Sequence, residues 1–108
     1  MTYNVIIDKK SEKKVYKILK KNNLEHHFDK AVNVLKNDKE AGKPVPKNRI
    51  PKQLIKTFNI NNLFIYDLVR KHPGWRLLYT IKPDGSISIV VVILQVLNHH
   101  RYDRMFNY

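Results

Sequence analysis

The densest apolar stretch of the chain runs from Ile89 to Leu94, and most of its residues are β-branched. A short run that is apolar on both faces is typical of an inner strand covered on both sides of a sheet. Upstream, residues 75–82 alternate between two faces, which predicts a second strand. Between the two strands, Lys82-Pro83-Asp84-Gly85 predicts a hairpin turn, because proline fixes φ and glycine accepts a positive φ.

Two amphipathic helices are predicted in the N-terminal half, after a short β-rich run at Tyr3–Asp8 that forms an edge strand. The segment from Lys13 to Lys21 carries apolar residues at helical spacing with lysines around them. A second helix begins near Leu24 and should end before Gly42, because a glycine free to adopt positive φ suits a helix C-terminus. Since few residues join the helices, they form a hairpin that can lie across one face of a sheet.

The middle of the chain predicts a loop followed by a strand. Lys43 to Lys52 contains three prolines and four cations, so we expect an extended segment without regular structure. It either connects the helices to the sheet or acts as a basic arm over a phosphate backbone. A helical turn is predicted at Pro51–Phe58 and a strand at Leu63–Leu68, and Arg101–Tyr108 forms a terminal helix or tail anchored by Met105 and Phe106.

This order of elements predicts an α+β fold in a single domain over residues 1–108. An N-terminal strand and a helical hairpin pack on a mostly antiparallel, roughly four-stranded sheet, and a short helix or tail follows the last strand. The helices are expected on one face of the sheet.

The charge of the chain points to a polyanionic partner. Twenty-one Lys and Arg residues against nine Asp and Glu give a formal net charge of +12. Such an excess repels itself in an isolated protein but favours association with a polyanion. Nucleic acid is the first partner class to consider, an acidic protein the second and an anionic membrane surface the third. The alternative is a highly soluble, solvated surface without a partner.

The residue types that are absent or scarce exclude several kinds of structural and catalytic site. The chain contains no cysteine, which excludes disulfides and thiolate metal sites. It has neither a signal-peptide pattern nor a run long enough to span a bilayer. We therefore expect a soluble cytoplasmic protein that is not associated with a membrane. Carboxylates are too scarce to suggest a two-metal site, and no established catalytic motif is present. We therefore expect neither a metal nor a cofactor.

A cluster of polar residues follows the apolar strand and suggests a candidate site. Asn98-His99-His100-Arg101-Tyr102 stands where this strand ends, beside a neighbouring strand that carries Arg76. RNA is cut without metal when a base activates the 2′-OH, an acid protonates the leaving 5′-oxygen and cations stabilise the phosphorane. Histidine suits either proton role, and tyrosine can act as acid or base. Arg76 and Arg101 offer planar donor forks to phosphate oxygens.

Each of these residues also has an ordinary structural interpretation. Arg76 can pair with Asp67 across the sheet, and Tyr102 can pack on the core. His99 and His100 can be exposed residues at a strand end. On the second predicted helix, His26 and His27 lie off the apolar stripe and are interpreted as surface residues.

The second half of the chain contains a recognisable order of segments. It reads GWRLLYTI from Gly74, then a hairpin turn, then the apolar strand ending in NHHRYDRMF, and IPKQLIKTFNINNLFIYDL stands upstream. These segments resemble the RelE/ParE superfamily of toxins from toxin–antitoxin systems. The resemblance covers about the last two-thirds of the chain, and the helical hairpin fits by arrangement. GWRLxYTI with a downstream HxxY is moderately specific for the superfamily and less specific for one activity within it.

The resemblance implies a small toxin that an acidic or amphipathic antitoxin holds inactive, with the toxin–antitoxin complex binding operator DNA. RelE-like members cleave messenger RNA in the ribosomal A site without metal, and this branch is favoured here. ParE-like members bind DNA gyrase and have no ribonuclease site. A third alternative is an inactive homologue that binds only its antitoxin and operator DNA.

The resemblance also implies roles for individual residues. Arg76 matches the phosphate-stabilising arginine of the family, and His99 with Tyr102 matches the position of acid–base or base-stacking groups. Arg101 lies near a second family arginine. Ribonuclease members carry lysines on the strand before the arginine, whereas this strand reads LFIYDL. The expected nucleic-acid contacts come instead from other basic residues, namely Lys13, Lys17, Lys47, Arg49, Lys52, Arg70, Lys71 and His100.

Overall fold

The computed structural model describes residues 2–71, 74–84 and 88–106, and its main feature is a five-stranded sheet. In chain order the elements are β1 Asn4–Ile7, α1 Glu12–Lys21, α2 Glu25–Asn37, β2 Lys43–Pro44, α3 Lys52–Phe58, β3 Phe64–Val69, β4 Trp75–Asp84, β5 Ser88–Asn98 and α4 His99–Phe106. Four helices beside one mixed sheet confirm the predicted α+β class.

The order of the strands is β1-β5-β4-β3-β2, so β5 and β4 are inner strands. β1 pairs parallel with β5, and the other neighbouring strands pair antiparallel. The apolar run predicted an inner strand, and Val91, Ile93 and Leu94 of β5 are indeed fully buried. The mostly antiparallel sheet and the edge position of the first strand are therefore confirmed.

The sheet has one more strand than the roughly four that were predicted. The additional strand, β2, comes from the segment that we expected to lack regular structure, because Lys43 and Pro44 pair with Ile65 and Phe64 of β3. Proline is tolerated there because β2 is an edge strand and needs no second ladder of hydrogen bonds. The same segment also contains a single 3₁₀ turn at Lys47–Arg49.

One face of the sheet is covered by the helical hairpin, as predicted. We call this side the first face. Its core combines apolar residues of α1 and α2 with residues of the strands, and Leu19, Ala31 and Leu35 are almost completely buried. Residues of β4 and β5 that alternate with two-residue spacing, such as Leu77 and Ile93, contribute to the same core.

The opposite side, the second face, is also covered by helices, so the expectation that all helices share one face is wrong. Leu54 and Phe58 of α3 pack there with Leu78 and Leu94 of the sheet. Tyr102, Met105 and Phe106 of α4 lie against this second core, which confirms Met105 and Phe106 as anchors of the C-terminal element. None of the helices in the described ranges is both long and apolar enough to cross a membrane.

A register shift in β5 decides which residues face each core near the end of the strand. Leu78 stands opposite Gln95 and Tyr79 opposite Ile93, so β5 holds one extra residue at this point. An extra residue reverses the alternation of side chains beyond it. As a result Val96 joins the first core and Leu97 the second, and both are buried.

The predicted hairpin turn lies partly within a strand. β4 continues through Asp84, so the predicted turn residues Lys82 and Pro83 belong to the strand. Gly85 lies outside the described residues. The connection from β3 to β4 includes Gly74, which has a φ of 73°. His72 and Pro73 of this connection also lie outside the described residues.

Gly42 was predicted to follow directly on the end of a helix through a positive φ, and this prediction is wrong. The glycine is required instead for close packing. α2 ends at Asn37, and Gly42 follows after several residues, with a φ that is not positive. A Cβ atom at Gly42 would stand 2.8 Å from the Ile65 carbonyl oxygen and 2.9 Å from Tyr79 Cε1. Only glycine lets the backbone pass so close to β3 and β4, and this approach leads the chain into β2.

The hydroxyl of Tyr79 ties the same segment to the sheet. The backbone N–H of Gly42 donates to Tyr79 Oη at 3.0 Å, and this hydroxyl donates to the Lys39 carbonyl at 2.8 Å. Burial, together with the charges of Asp38 and Glu40, raises the pKa of Tyr79 from its ordinary value of 10.0 to about 12 and outweighs the opposing effect of the Gly42 hydrogen bond. Folding therefore favours the neutral phenol.

Replacing Tyr79 with phenylalanine tests this tie. At pH 8 the Tyr79→Phe variant should lose about 1–3 kcal/mol of unfolding free energy, because the buried Gly42 N–H and the partly buried Lys39 carbonyl lose their partner. The raised pKa stabilises the wild type fully below pH 10. Between pH 10 and 12 the unfolded phenol loses its proton before the folded one, so the wild type loses up to about 2.7 kcal/mol.

The measurement is urea unfolding of both proteins at several pH values from 8 to 12. Other titrating groups are common to both chains and cancel in the difference. The stability gap between wild type and variant should shrink above pH 10, and a gap that stays constant to pH 12 would contradict the assignment.

Candidate functional site

Arg76 lies at the centre of the candidate site, near the start of β4 and on the second face. In the sheet it stands opposite Asp67 of β3 and Leu97 of β5. Its Nε atom lies 3.7 Å from Asp67 Oδ1, and its Nη1 atom lies 3.4 Å from His99 Nδ1. The guanidinium carbon lies 4.4 Å from the ring centre of Tyr102. The structure thus brings together Arg76, His99 and Tyr102, which the sequence had placed at one end of the sheet.

The pairing of Arg76 with Asp67, which had been considered as an ordinary structural alternative, is also present. At 3.7 Å it is a long ion pair, and the two side chains are 27% and 38% exposed. Ion pairs in such partly solvated positions contribute little stability. Arg76 is therefore oriented by Asp67 but retains solvent access for an anion.

His99 is held from both sides of its ring. Asp103, one helical turn further along α4, places Oδ2 3.0 Å from His99 Nε2. Because an arginine N–H can only donate, its contact with Nδ1 requires a lone pair there, and the proton of the neutral ring must then sit on Nε2 and point to Asp103. The two contacts together assign the Nε2–H tautomer. Asp103 was missed in the sequence, although its i,i+4 spacing from His99 was the available signal.

The predicted strand end is the beginning of a helix, and this explains how Tyr102 reaches Arg76. α4 starts at His99, directly after β5 ends at Asn98. Three residues along a helix bring Tyr102 back to the same side as His99. The ring centres of Tyr102 and Phe106 lie 4.6 Å apart, with the ring planes tilted by 32°, so Tyr102 contacts both the Arg76 guanidinium and Phe106.

The space in front of Arg76 consists of two adjoining hollows, of about 400 and 340 Å³, which share Lys43, Asp67 and Arg76. We call them together the Arg76 cleft. Arg70 and His99 line the first hollow, and Arg49, Tyr102 and Phe106 line the second. Because four cationic side chains and one carboxylate border the cleft, it favours an anionic ligand.

Lys43 was not among the predicted site residues. The strand before the arginine carries no lysine, and the structure supplies one from the next strand, because Lys43 of β2 pairs with Ile65 of β3. A two-residue strand has no periodicity to detect, and the prolines around it favoured a loop. No signal in the sequence could have placed Lys43 beside Arg76.

The other predicted residues divide by location. Arg49 and Arg70 line the cleft, whereas Lys52 lines a neighbouring hollow. Arg101 is exposed and lines two other hollows, because the turn of α4 directs it away from Arg76. The remaining predicted contacts are exposed and do not line the cleft: Lys47, Lys71 and His100, with Lys13 and Lys17 on α1 beside the first face.

The chemistry available in the cleft is that of proton transfer and anion binding. Asp67 can accept a proton, His99 can donate or accept one, and Arg76 can bind phosphate oxygens with two parallel hydrogen bonds. Among the side chains that the structure describes, no group of three or more His, Asp or Glu residues is arranged to hold a metal ion.

Comparison with known proteins gives no relative. A scan against protein-family models found no match, and neither did searches of the curated proteins and of the solved structures. What can be inferred about function thus depends on the sequence and on the geometry of the Arg76 cleft.

The tautomer of His99 is open to direct measurement. Nitrogen-15 NMR at a pH where the ring is neutral should show His99 almost entirely as the Nε2–H form, and more uniformly so than exposed His100, which serves as an internal reference. Asp103→Ala should remove this difference, because the carboxylate no longer accepts from Nε2. Asp29→Ala, which removes an exposed carboxylate from α2, should leave it unchanged. Predominance of the Nδ1–H form in the wild type would contradict the assignment.

Proposed function

We propose that this chain is a toxin of the RelE/ParE type that cleaves messenger RNA on the ribosome, and that a cognate antitoxin holds it inactive in the cytoplasm. One observation carries the proposal: the guanidinium of Arg76 is in contact with His99 and Tyr102 and lines a cationic cleft. These are the phosphate-binding and proton-transferring groups that RNA cleavage requires.

In this proposal the carboxylate of Asp67 is the general base. It lies on β3 directly opposite Arg76 and lines both hollows of the cleft. A phosphate bound to Arg76 would therefore bring the neighbouring 2′-OH close to a proton acceptor. Asp67 takes that proton, and the 2′-oxygen attacks phosphorus. The absence of lysines on β3 is then no obstacle, because a carboxylate acts as base and Lys43 supplies the cation.

Arg76 stabilises the phosphorane, and when its donors turn from His99 to the phosphate, Nδ1 of His99 becomes free to take up a proton from solvent, which makes the ring the general acid. As the bond from phosphorus to the 5′-oxygen breaks, the leaving oxygen takes a proton from His99. The products are a 2′,3′-cyclic phosphate and a free 5′-hydroxyl, and no oxidant or cofactor is consumed. The carboxylate of Asp103, 3.0 Å from His99 Nε2, stabilises the positive ring before transfer. The ring of Tyr102 holds the guanidinium of Arg76 in place.

The charge of the molecule supports the same partners. A net charge of +12 favours binding to ribosomal RNA, and it makes an acidic antitoxin a suitable inhibitor. An antitoxin that neutralises or covers the Arg76 cleft would exclude the message from it. The neutralised toxin–antitoxin complex would then be able to bind operator DNA through the antitoxin.

Arg76→Ala is the decisive variant. We expect it to lower message cleavage by about 10²- to 10³-fold, the usual cost of removing one group that stabilises transition-state charge. Primer extension on messages from cells briefly expressing each protein measures this. Lys20→Ala is the matched control, because it removes a charge from the exposed side of α1 and should cleave like the wild type.

The same experiment separates the alternatives. Discrete cuts within translated codons that disappear in Arg76→Ala support the ribonuclease. Intact messages with arrested growth would favour a ParE-like toxin that binds gyrase or another protein. Intact messages with normal growth, and with folded protein present, would favour an inactive homologue that binds only its antitoxin and operator DNA.

Asp67→Asn tests the assignment of the base separately. The amide keeps the shape of the side chain but cannot take the proton, so cleavage should fall by about 10²- to 10⁴-fold. Asp29→Asn changes the net charge by the same amount at an exposed position of α2 and serves as the control. If Asp67→Asn cleaves as fast as the wild type or faster, Asp67 only neutralises Arg76 and another group is the base.

A further inference from the structure

A second, larger hollow adjoins the Arg76 cleft. It has a volume of about 760 Å³ and extends from the chain around Arg49 and Lys52 to the end of α4, where Met105 and Phe106 form its apolar side. We call it the outer hollow. It shares Arg49 and Phe106 with the cleft, so these two side chains stand at the boundary between the two spaces.

The side chains that line the outer hollow combine charge with apolar surface. Arg49, Lys52 and Gln53 are exposed donors on one side, whereas Phe106 and Met105 are partly buried on the other. A cation beside an aromatic ring is the arrangement that single-stranded nucleic acid uses, with phosphates on the cations and bases on the rings. The described side chains that line this hollow include no carboxylate to repel a phosphate.

A series of side-chain contacts connects the two spaces. Arg76 lies over Tyr102 at 4.4 Å, and Tyr102 lies against Phe106 at 4.6 Å. Phe106 in turn borders the outer hollow. These contacts therefore connect the guanidinium of Arg76 with a ring at the wall of the outer hollow.

We propose that the outer hollow binds a nucleotide of single-stranded RNA next to the phosphate held by Arg76. Phe106 stacks with its base, and Arg49 binds the phosphate that links it to the cleft. This inference rests on the proposed function, because that proposal places the scissile phosphate at Arg76. The binding itself is testable without cleavage.

The probe is a fluorescein-labelled RNA hexamer whose 2′-hydroxyls are methylated, so that it cannot be cut. Binding to the wild-type chain is followed by fluorescence anisotropy at several salt concentrations. Phe106→Leu, which keeps an apolar anchor, should weaken binding by about 5- to 150-fold through lost stacking. Arg49→Gln, at an exposed position, should reduce the salt slope by about 0.7, which corresponds to one phosphate contact.

Two controls make the result specific to this surface. Lys20→Gln removes one exposed charge from α1 and should leave both affinity and salt slope nearly unchanged. A duplex of the same sequence should be insensitive to Phe106→Leu, because its paired bases cannot stack on a protein ring. Circular dichroism melting establishes that Phe106→Leu is folded, and Arg49→Gln tests the site independently of the core.

The outcomes distinguish this site from the proposed function. The inference is overturned if the wild type does not bind the hexamer at low salt, if Arg49→Gln and folded Phe106→Leu bind as the wild type does, or if Lys20→Gln weakens binding equally. Hexamer binding with the expected dependences, in a protein that leaves cellular messages intact, would uphold the outer hollow and refute the ribonuclease. Message cleavage by the wild type, together with unchanged hexamer binding in both variants, would support the ribonuclease and refute the outer hollow as a binding site.

Discussion

Burial of β5 on both faces is the constraint on which the rest of the structure depends. Val91, Ile93 and Leu94 are completely buried, so the strand must have neighbours on both edges and layers on both sides. β1 and β4 satisfy the first requirement, and the two pairs of helices satisfy the second. Two-sided burial leaves room for charged groups only where the strand leaves the core. The candidate site lies at this point, where β5 passes into α4.

The register shift and the strand-to-helix junction together set the geometry of the site. One extra residue in β5 puts Leu97 rather than its neighbour into the second core. α4 begins two residues later, so His99 starts a helix beside Arg76 and Tyr102 follows on the same side. If the register of β5 against β4 slipped by one residue, the end of β5 would turn over, and His99 and Tyr102 would no longer lie on the same face as Arg76. Packing of the two cores thus positions groups that take no part in either core.

Electrostatics keeps Arg76 ordered and still available. Asp67 and the ring of Tyr102 orient the guanidinium, while the long 3.7 Å ion pair costs little to exchange for a phosphate. Lys43, Arg49 and Arg70 surround the same cleft, and the molecule as a whole carries a charge of +12. These charges repel one another in the free chain. Binding of an anion relieves that repulsion, and the repulsion is therefore part of the driving force for association.

The sequence by itself determined the α+β class, the helical hairpin, the inner apolar strand and the meeting of Arg76, His99 and Tyr102, because each follows from local periodicity or from residues near a strand end. Tertiary structure alone decided the second layer of helices, the short strand that brings Lys43 to the cleft, and the removal of Arg101 from it. Asp103 beside His99 could have been read from spacing, but Lys43 could not. Its position depends on pairing with a strand more than twenty residues away, which no local pattern encodes.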